Sequence, residues 1–344
     1  MKGFGKDVTM AKVRMAKSNL RREEFRLTSI VNTVLNRTMS ACVELIFAEK
    51  NIQVKEESIE LAEKLLQDNR KSFELGRMNE IDVLQAEARV AEAQEEKLQA
   101  ETFLIERTNN LKALVFEDYD QIDQIDVKVT DELNTTYDIP AKSDLLQAAW
   151  KNNADFKAAE EFVRAQNIAV EMANDGMKPQ VDLVGSISYN GLDFDDQVDA
   201  VKNYYERDQP SWNLGVTVSY PFGNHAAKAA KRKALLQRRQ AEENVGFSKL
   251  EIATQLDTAL KIVNIASARI ASAERSVELA RKSLEAEQKR LNLGTTTSYN
   301  VAEMQRNLSV AKTRHLASIV EYEKALIKLW AVVGVLKDRM NIDL

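Results

Sequence analysis

Apolar side chains recur with a seven-residue period over much of the chain. Toward the C-terminal end, Leu256, Val263, Ile270, Val277, Leu284 and Leu291 occupy every seventh position, and Ala259, Ala266, Ala273 and Ala280 follow the first four by three residues. Such heptads predict helices that supercoil left-handedly, with the alanines letting a neighbouring helix approach closely. Leu45, Ile52, Ile59, Leu66 and Phe73, flanked by Ala41, Ala48 and Ala62, repeat the pattern in the N-terminal half.

The two halves are copies. At a shift of 218 residues Ser58-Ile59-Glu60-Leu61-Ala62 overlies Ser276-Val277-Glu278-Leu279-Ala280, Phe4-Gly5 overlies Phe222-Gly223, and Leu75-Gly76 overlies Leu293-Gly294. The register continues without a gap through Val83 on Val301, Ala93 on Ala311 and Leu111 on Leu329, so the chain contains a duplication. Proline costs about 3 kcal/mol inside a helix, and all four prolines lie between residues 140 and 221. Between Lys6 and Ile139 the one glycine is Gly76, which with its twin Gly294 is expected to turn the chain between two helices. Each copy is thus predicted to be a helix of about 70 residues, a tight tip and a returning helix about half as long. On the second returning helix Val301, Met304, Leu308, Ala311, Tyr322, Ala325, Leu329 and Val332 form one seam. Apolar stripes of this length require partner helices.

Between the hairpins the pattern changes. Phe116 to Asp138 is acidic and irregular, with a short strand expected at Asp126 to Val129, and Ser143 is expected to cap a helix reaching about Asn174. Val181, Leu183, Ile187 and Tyr189 then alternate with polar residues, as do Trp212, Leu214, Val216, Val218 and Tyr220. Period-two alternation predicts two strands, each with one apolar and one small polar face. The loop between them carries Asp193, Asp195, Asp196, Asp199, Glu206 and Asp208. A soluble hairpin with one buried face and a pair of membrane strands fit these residues equally well. An open sheet edge is not tolerated in lipid, so the membrane alternative requires an oligomer that closes a barrel.

The chain accordingly divides into a first helical hairpin over 1–115 with its tip near 76, an irregular junction over 116–142 and a packing helix over 143–175. Two strands with an acidic loop follow over 179–221, then a second hairpin over 222–336 with its tip near 294 and a tail over 337–344. The expected class is mainly α: two tandem antiparallel coiled-coil hairpins with a short two-stranded β segment.

Composition narrows the function. The 48 basic and 53 acidic residues are interleaved, giving a net charge of -5 and no basic face for nucleic acid. Cys42 is the single cysteine, so neither an internal disulfide nor a cysteine zinc site is expected. His225 and His315 are the two histidines and neither sits in a catalytic constellation. No phosphate loop, metal motif or cofactor fingerprint is present, so no enzyme activity, metal or cofactor is expected. No apolar run reaches the length of a membrane-spanning helix.

In the order and spacing of its motifs the chain resembles the outer-membrane efflux protein family, the TolC-like outer-membrane factors. The motifs are Gly3-Phe4-Gly5, Leu75-Gly76 through Asp82-Val83-Leu84, Pro179-Gln180-Val181-Asp182-Leu183, Trp212-Asn213-Leu214-Gly215-Val216, Pro221-Phe222-Gly223 and Leu293-Gly294-Thr295. The resemblance implies a homotrimer whose strands share one β-barrel in the outer membrane of a Gram-negative bacterium, with a helical tunnel through the periplasm. It implies a passive channel for efflux or type I secretion, coupled to an inner-membrane pump through a periplasmic adaptor. Leu75, Gly76, Arg77, Leu293, Gly294 and Thr295 would meet that adaptor. Asp82, Asn300 and Glu303 would face the pore mouth, and the apolar residues of both strands would face lipid. Asn300 stands where the family often has an acid. In the 218-residue register Met1 falls on Ser219, so a truncated copy without its strands and signal peptide is expected. The competing reading is a cytoplasmic or periplasmic coiled-coil scaffold or adaptor, which leaves the amphipathic strands without a role.

Overall fold

The computed structural model describes residues 1–116, 125, 127, 129, 137–189, 205 and 210–339. Most of the acidic loop, of the irregular junction and of the tail lies outside the described residues, as do Asp126 and Lys128 of the expected strand, while its Val127 and Val129 pack against the cluster of Ala41, Leu45 and Leu111. In chain order the elements are α1 (Lys6–Thr9), α2 (Ala11–Glu74), α3 (Glu80–Val115), α4 (Lys142–Asn152), α5 (Ala154–Asp175), β1 (Gln180–Tyr189), β2 (Pro210–Ser219), α6 (His225–Asn292), α7 (Ser298–Val333) and α8 (Leu336–Arg339). The heptad segments are helical throughout, and the two copies run in parallel: α2 and α6 have 64 and 68 residues, and α3 and α7 have 36 each. The chain divides into two compact units, residues 1–26 with 155–248 and residues 27–154 with 249–344.

In the second unit the heptad seam of copy two is the core. Leu256, Val263 and Leu284 with Ala259 and Ala266 are buried on α6, facing Val301, Leu308, Val320, Leu326 and Leu329 of α7. Small residues carry the close approaches on α3, where Ala86, Ala93 and Ala100 are buried at heptad spacing. This follows from ridge packing with alanine in the groove positions.

Copy one differs from the expected seam. Ile52, Ile59 and Leu66 are only half-buried and Phe73 is exposed, whereas Asn51, Ser58, Ala62, Leu65 and Asn69 are buried. The reason is that α2 has two neighbours. It meets α3 through Lys55–Glu96 and Arg70–Glu87, and α7 through the amide of Gln305 donating to the Leu61 carbonyl and Thr313 donating to Asn51. The enclosed face therefore lies about 100° from the apolar stripe, one residue earlier in sequence.

The helix expected from Ser143 to Asn174 is two helices. Its first turn is capped by Ala141, while the Ser143 hydroxyl donates to the Asp144 carboxylate at 3.2 Å. The break falls at Asn153, whose backbone is extended and whose side-chain amide donates to the Val332 carbonyl at 3.3 Å. Gly334 (φ 79°) lies against this break.

The first unit holds β1 and β2, paired antiparallel from Gln180↔Ser219 to Tyr189↔Pro210. The entry to β1 is fixed by short polar ties. The Gly3 amide donates to Asp175 at 2.6 Å, the Lys2 amide to the Pro179 carbonyl at 2.9 Å, and the Asn224 side chain to the Met177 carbonyl at 3.2 Å. Burial alone would raise the Asp175 pKa, but the Gly3 amide and Lys178 outweigh it and hold the carboxyl below its ordinary range.

Candidate functional site

Three surfaces carry the features that the sequence singles out: the two helical tips, the polar zone joining the hairpins near them, and the strand pair.

The tips are twins in atomic detail. Gly76 (φ 69°) donates to the Phe73 carbonyl and Arg77 to that of Ser72; Gly294 (φ 71°) donates to Leu291 and Thr295 to Arg290. Both are Schellman motifs, which require a left-handed residue after the helix, and glycine takes that conformation without a Cβ penalty. Leu75, Gly76, Arg77, Leu293, Gly294 and Thr295 are all exposed, with Leu75 and Leu293 holding apolar side chains in solvent. A Cβ at either glycine would meet nothing within 4 Å. Gly76→Ala and Gly294→Ala should therefore each cost only the left-handed penalty of about 1–2 kcal/mol, read as matching shifts in a urea midpoint, and asparagine should cost less.

The expected mouth residues are not equivalent. Asp82 is half-buried and its carbonyl accepts from the Asn69 amide at 3.0 Å. Asn300 is exposed and donates to Thr296 at 3.0 Å. Glu303 is paired with Arg306 at 2.8 Å, and Arg306 also holds Glu92 at 2.8 Å. The Glu92 contact leads in raising the Arg306 pKa further, so this guanidinium is a fixed charge.

Sequence reasoning missed the residues that join the two hairpins. Asn69, 1% exposed, donates both to Asp82 of the first tip and to the hydroxyl of Ser298 at the start of α7. Farther along, buried Arg89 donates to Ser58 at 2.9 Å and pairs with Glu92 and Glu96, and Lys55 closes the cluster on Glu96 at 2.7 Å. Glu44 is held by Arg107 and Lys324; burial acts to raise its pKa, but these partners bring it below the usual carboxylate range. One signal was available, because these positions break the internal repeat: Lys55, Arg89 and Glu92 match Ala273, Asn307 and Val310. Polar residues that replace small or apolar ones on a duplicated helix mark where the copies have different neighbours.

The strand pair sorts its side chains with one exception, Val184, which lies opposite Gly215 on the otherwise polar face. One face carries Val181↔Val218, Leu183↔Val216, Gly185↔Leu214 and Ile187↔Trp212, ending at Tyr189↔Pro210. The other carries Gln180, Asp182, Ser186 and Ser188 opposite Ser219, Thr217, Asn213 and Ser211. Among the described residues nothing covers the apolar face: Leu183, Ile187, Trp212 and Leu214 are 72%, 70%, 77% and 66% exposed. A water-soluble hairpin would bury that face, since an isolated two-stranded sheet is marginal in water.

Known proteins share this arrangement. A profile of the family described as "Outer membrane efflux protein" matches residues 145–335. Outer membrane protein TolC of Vibrio cholerae serotype O1 is 20% identical over 330 residues, covering 95% of this chain and 74% of the relative. Among solved structures, the outer-membrane channel OprN superposes with a TM-score of 0.77 at 18% identity, covering 94% of this chain and 71% of that one. The outer membrane protein VceC of Vibrio cholerae does so with a TM-score of 0.75 at 18% identity, covering 94% and 75%.

Proposed function

Because the chain belongs to the outer membrane efflux protein family, we propose that it is the subunit of a homotrimeric outer-membrane duct through which an efflux or type I secretion system releases its substrates. The observation that carries this reading is the apolar face of β1 and β2, uncovered among the described residues and backed by a face that is polar or small at every position but Val184. Apolar-out, polar-in alternation over about ten residues suits a membrane strand lining an aqueous lumen. A pair of strands has two open edges, and lipid cannot hydrogen-bond them, so neighbouring copies must close the sheet.

In this reading the helical hairpins continue the duct into the periplasm, and the exposed tips at Leu75-Gly76-Arg77 and Leu293-Gly294-Thr295 meet a periplasmic adaptor that couples the duct to an inner-membrane pump. Asp82, Asn300 and Glu303 border the mouth. With Glu303 engaged by Arg306 and an amide at Asn300, Asp82 is the one of these three that brings a carboxylate without a salt bridge among the described residues. Transport is passive and the protein is not an enzyme: its side chains supply a wall rather than reacting groups. The polar zone around Asn69 and Arg89 fixes the two hairpins against each other, which suits a wall that must keep its curvature.

Expression of the protein in a Gram-negative host tests the proposal. The protein should sediment with the outer membrane, resist an alkaline carbonate wash, crosslink as a trimer and conduct ions in a planar bilayer. Recovery as a soluble monomer, with β1 and β2 protected from proteolysis, would refute it.

A further inference from the structure

The interleaving of charge along the chain fails in two places, immediately after β2 and at the repeat-related start of the chain. Residues 222–241 contain Lys228, Lys231, Arg232, Lys233, Arg238 and Arg239 and no acid, although the whole chain has a net charge of -5. Its repeat twin, residues 4–23, has Lys6, Lys12, Arg14, Lys17, Arg21 and Arg22 against Asp7 and Glu23. We propose that the basic first turns of α6, below the exposed Tyr220 and Phe222, form with the exposed Lys6 and Lys12 at the start of the chain a collar that binds the anionic phospholipid headgroups of the leaflet nearest the helices. The inference rests on the membrane reading of β1 and β2.

Three observations point to lipid. First, the basic run is continuous with the strand: β2 ends at Ser219, Pro221-Phe222-Gly223-Asn224 makes the turn, and α6 begins at His225. The side chain of Phe222 is wholly exposed and that of Tyr220 largely so. Phe4 repeats this before α1, in the same unit. Aromatic side chains at headgroup level followed by lysine and arginine are what an anionic interface selects.

Second, these cations have no internal task. Lys228, Arg232 and Lys233 are exposed and Lys231 is half-exposed, and among the described residues none of the four has a carboxylate within ion-pair distance. By contrast Arg14 is paired with Glu171 and Arg238 with Glu242 at 3.3 Å. Lys228, Lys231 and Arg232 share one face of α6 at i, i+3 and i+4 spacing, apart from the face that buries Ala234 and Ala241.

Third, the distances sort the cations. At about 1.5 Å per residue, Lys228 lies roughly 5 Å beyond the start of α6 and Lys233 roughly 12 Å, whereas Arg238 and Arg239 lie roughly 20 Å away. The surface potential of an anionic leaflet decays over about 8 Å at physiological salt. Long lysine and arginine stems reach back toward the headgroups while their chains lie along the helix. The first four cations are therefore in range and the last two are not. Each cation in range strengthens anionic lipid association about fivefold.

The full chain is reconstituted into phosphatidylcholine vesicles with and without about one part in five of phosphatidylglycerol. Insertion is scored by flotation after a carbonate wash, and the phosphatidylglycerol retained per inserted trimer is then measured. The wild type should retain phosphatidylglycerol over phosphatidylcholine at a ratio at least fivefold above the bulk ratio, and 1 M salt should lower the excess. K228Q/K231Q/R232Q/K233Q should insert but fall close to bulk composition, while R238Q/R239Q should keep the excess. Absence of enrichment around inserted wild type overturns the proposal, as does equal loss in the two variants. Unchanged lipid retention with altered anion permeability in the quadruple variant also overturns it, by assigning the cations to the lumen. Failure to insert into either vesicle is a different result: it sinks the membrane reading and the lipid collar with it.

Discussion

Leu214→Arg should abolish membrane insertion while leaving the isolated chain folded. Leu214 lies near the middle of β2 on the apolar face, opposite Gly185, and is largely exposed within the chain. Replacing an exposed side chain that packs against almost nothing should change chain stability by no more than about 0.5 kcal/mol. In the proposed barrel the same site faces lipid, where an arginine near the midplane costs about 2–4 kcal/mol. Three copies in a trimer raise this to about 6–12 kcal/mol when the sites act independently, which is about four or more decades in the insertion equilibrium. Asn213→Arg is the matched control. It sits one residue away on the polar face, paired with Ser186, and should insert. Outer-membrane fractionation of the two variants, with helicity measured in parallel, decides the matter. Equal insertion of both would mean that the alternation does not sort lipid from lumen.

The sequence displayed the fold class because heptad and alternating periods are local signals, and the duplication doubled the heptad one. Gly76 and Gly294 could be recognised as turns for the same reason: a lone glycine at the centre of a helical pattern has few other uses. What escaped was everything fixed by a second neighbour. The copy-one stripe at Ile52, Ile59 and Leu66 looks apolar from one helix, yet α2 is enclosed by α3 and α7 along Asn51, Ser58 and Asn69. No property of α2 alone announces that. Asn153 likewise looked like an ordinary position in one long helix, and the break there depends on Gly334, which lies far away in sequence. The basic runs at the starts of α2 and α6 were visible in the letters but vanish in an overall charge of -5. They stand out only when each helix start is read by itself.

Gly334 should be the least replaceable glycine of the helical unit. It ends α7 in a left-handed conformation, donating to Trp330 and Ala331 while Val335 also donates to Trp330, so it shares the turn chemistry of Gly76 and Gly294. Its surroundings differ. A Cβ there would lie 2.8 Å from the Asn152 carbonyl oxygen, 2.9 Å from its carbon and 3.0 Å from the Asn153 nitrogen. All three atoms are backbone, so no rotamer change can relieve the contact. Gly334→Ala thus combines a left-handed penalty of about 1–2 kcal/mol with overpacking of about 1–3 kcal/mol. The resulting loss of about 2–5 kcal/mol falls where Val333 and Leu336 are each 1% exposed and Trp330 stacks under Arg339. Urea unfolding should show a shift at least twice that of Gly76→Ala, with Trp330 fluorescence changing first. Asparagine separates the two causes, because it tolerates the left-handed conformation but still carries a Cβ. Gly76→Asn should be nearly neutral and Gly334→Asn should remain strongly destabilised. Recovery of stability in Gly334→Asn would show that the backbone of Asn152 and Asn153 can move aside, and that close approach is not what demands glycine here.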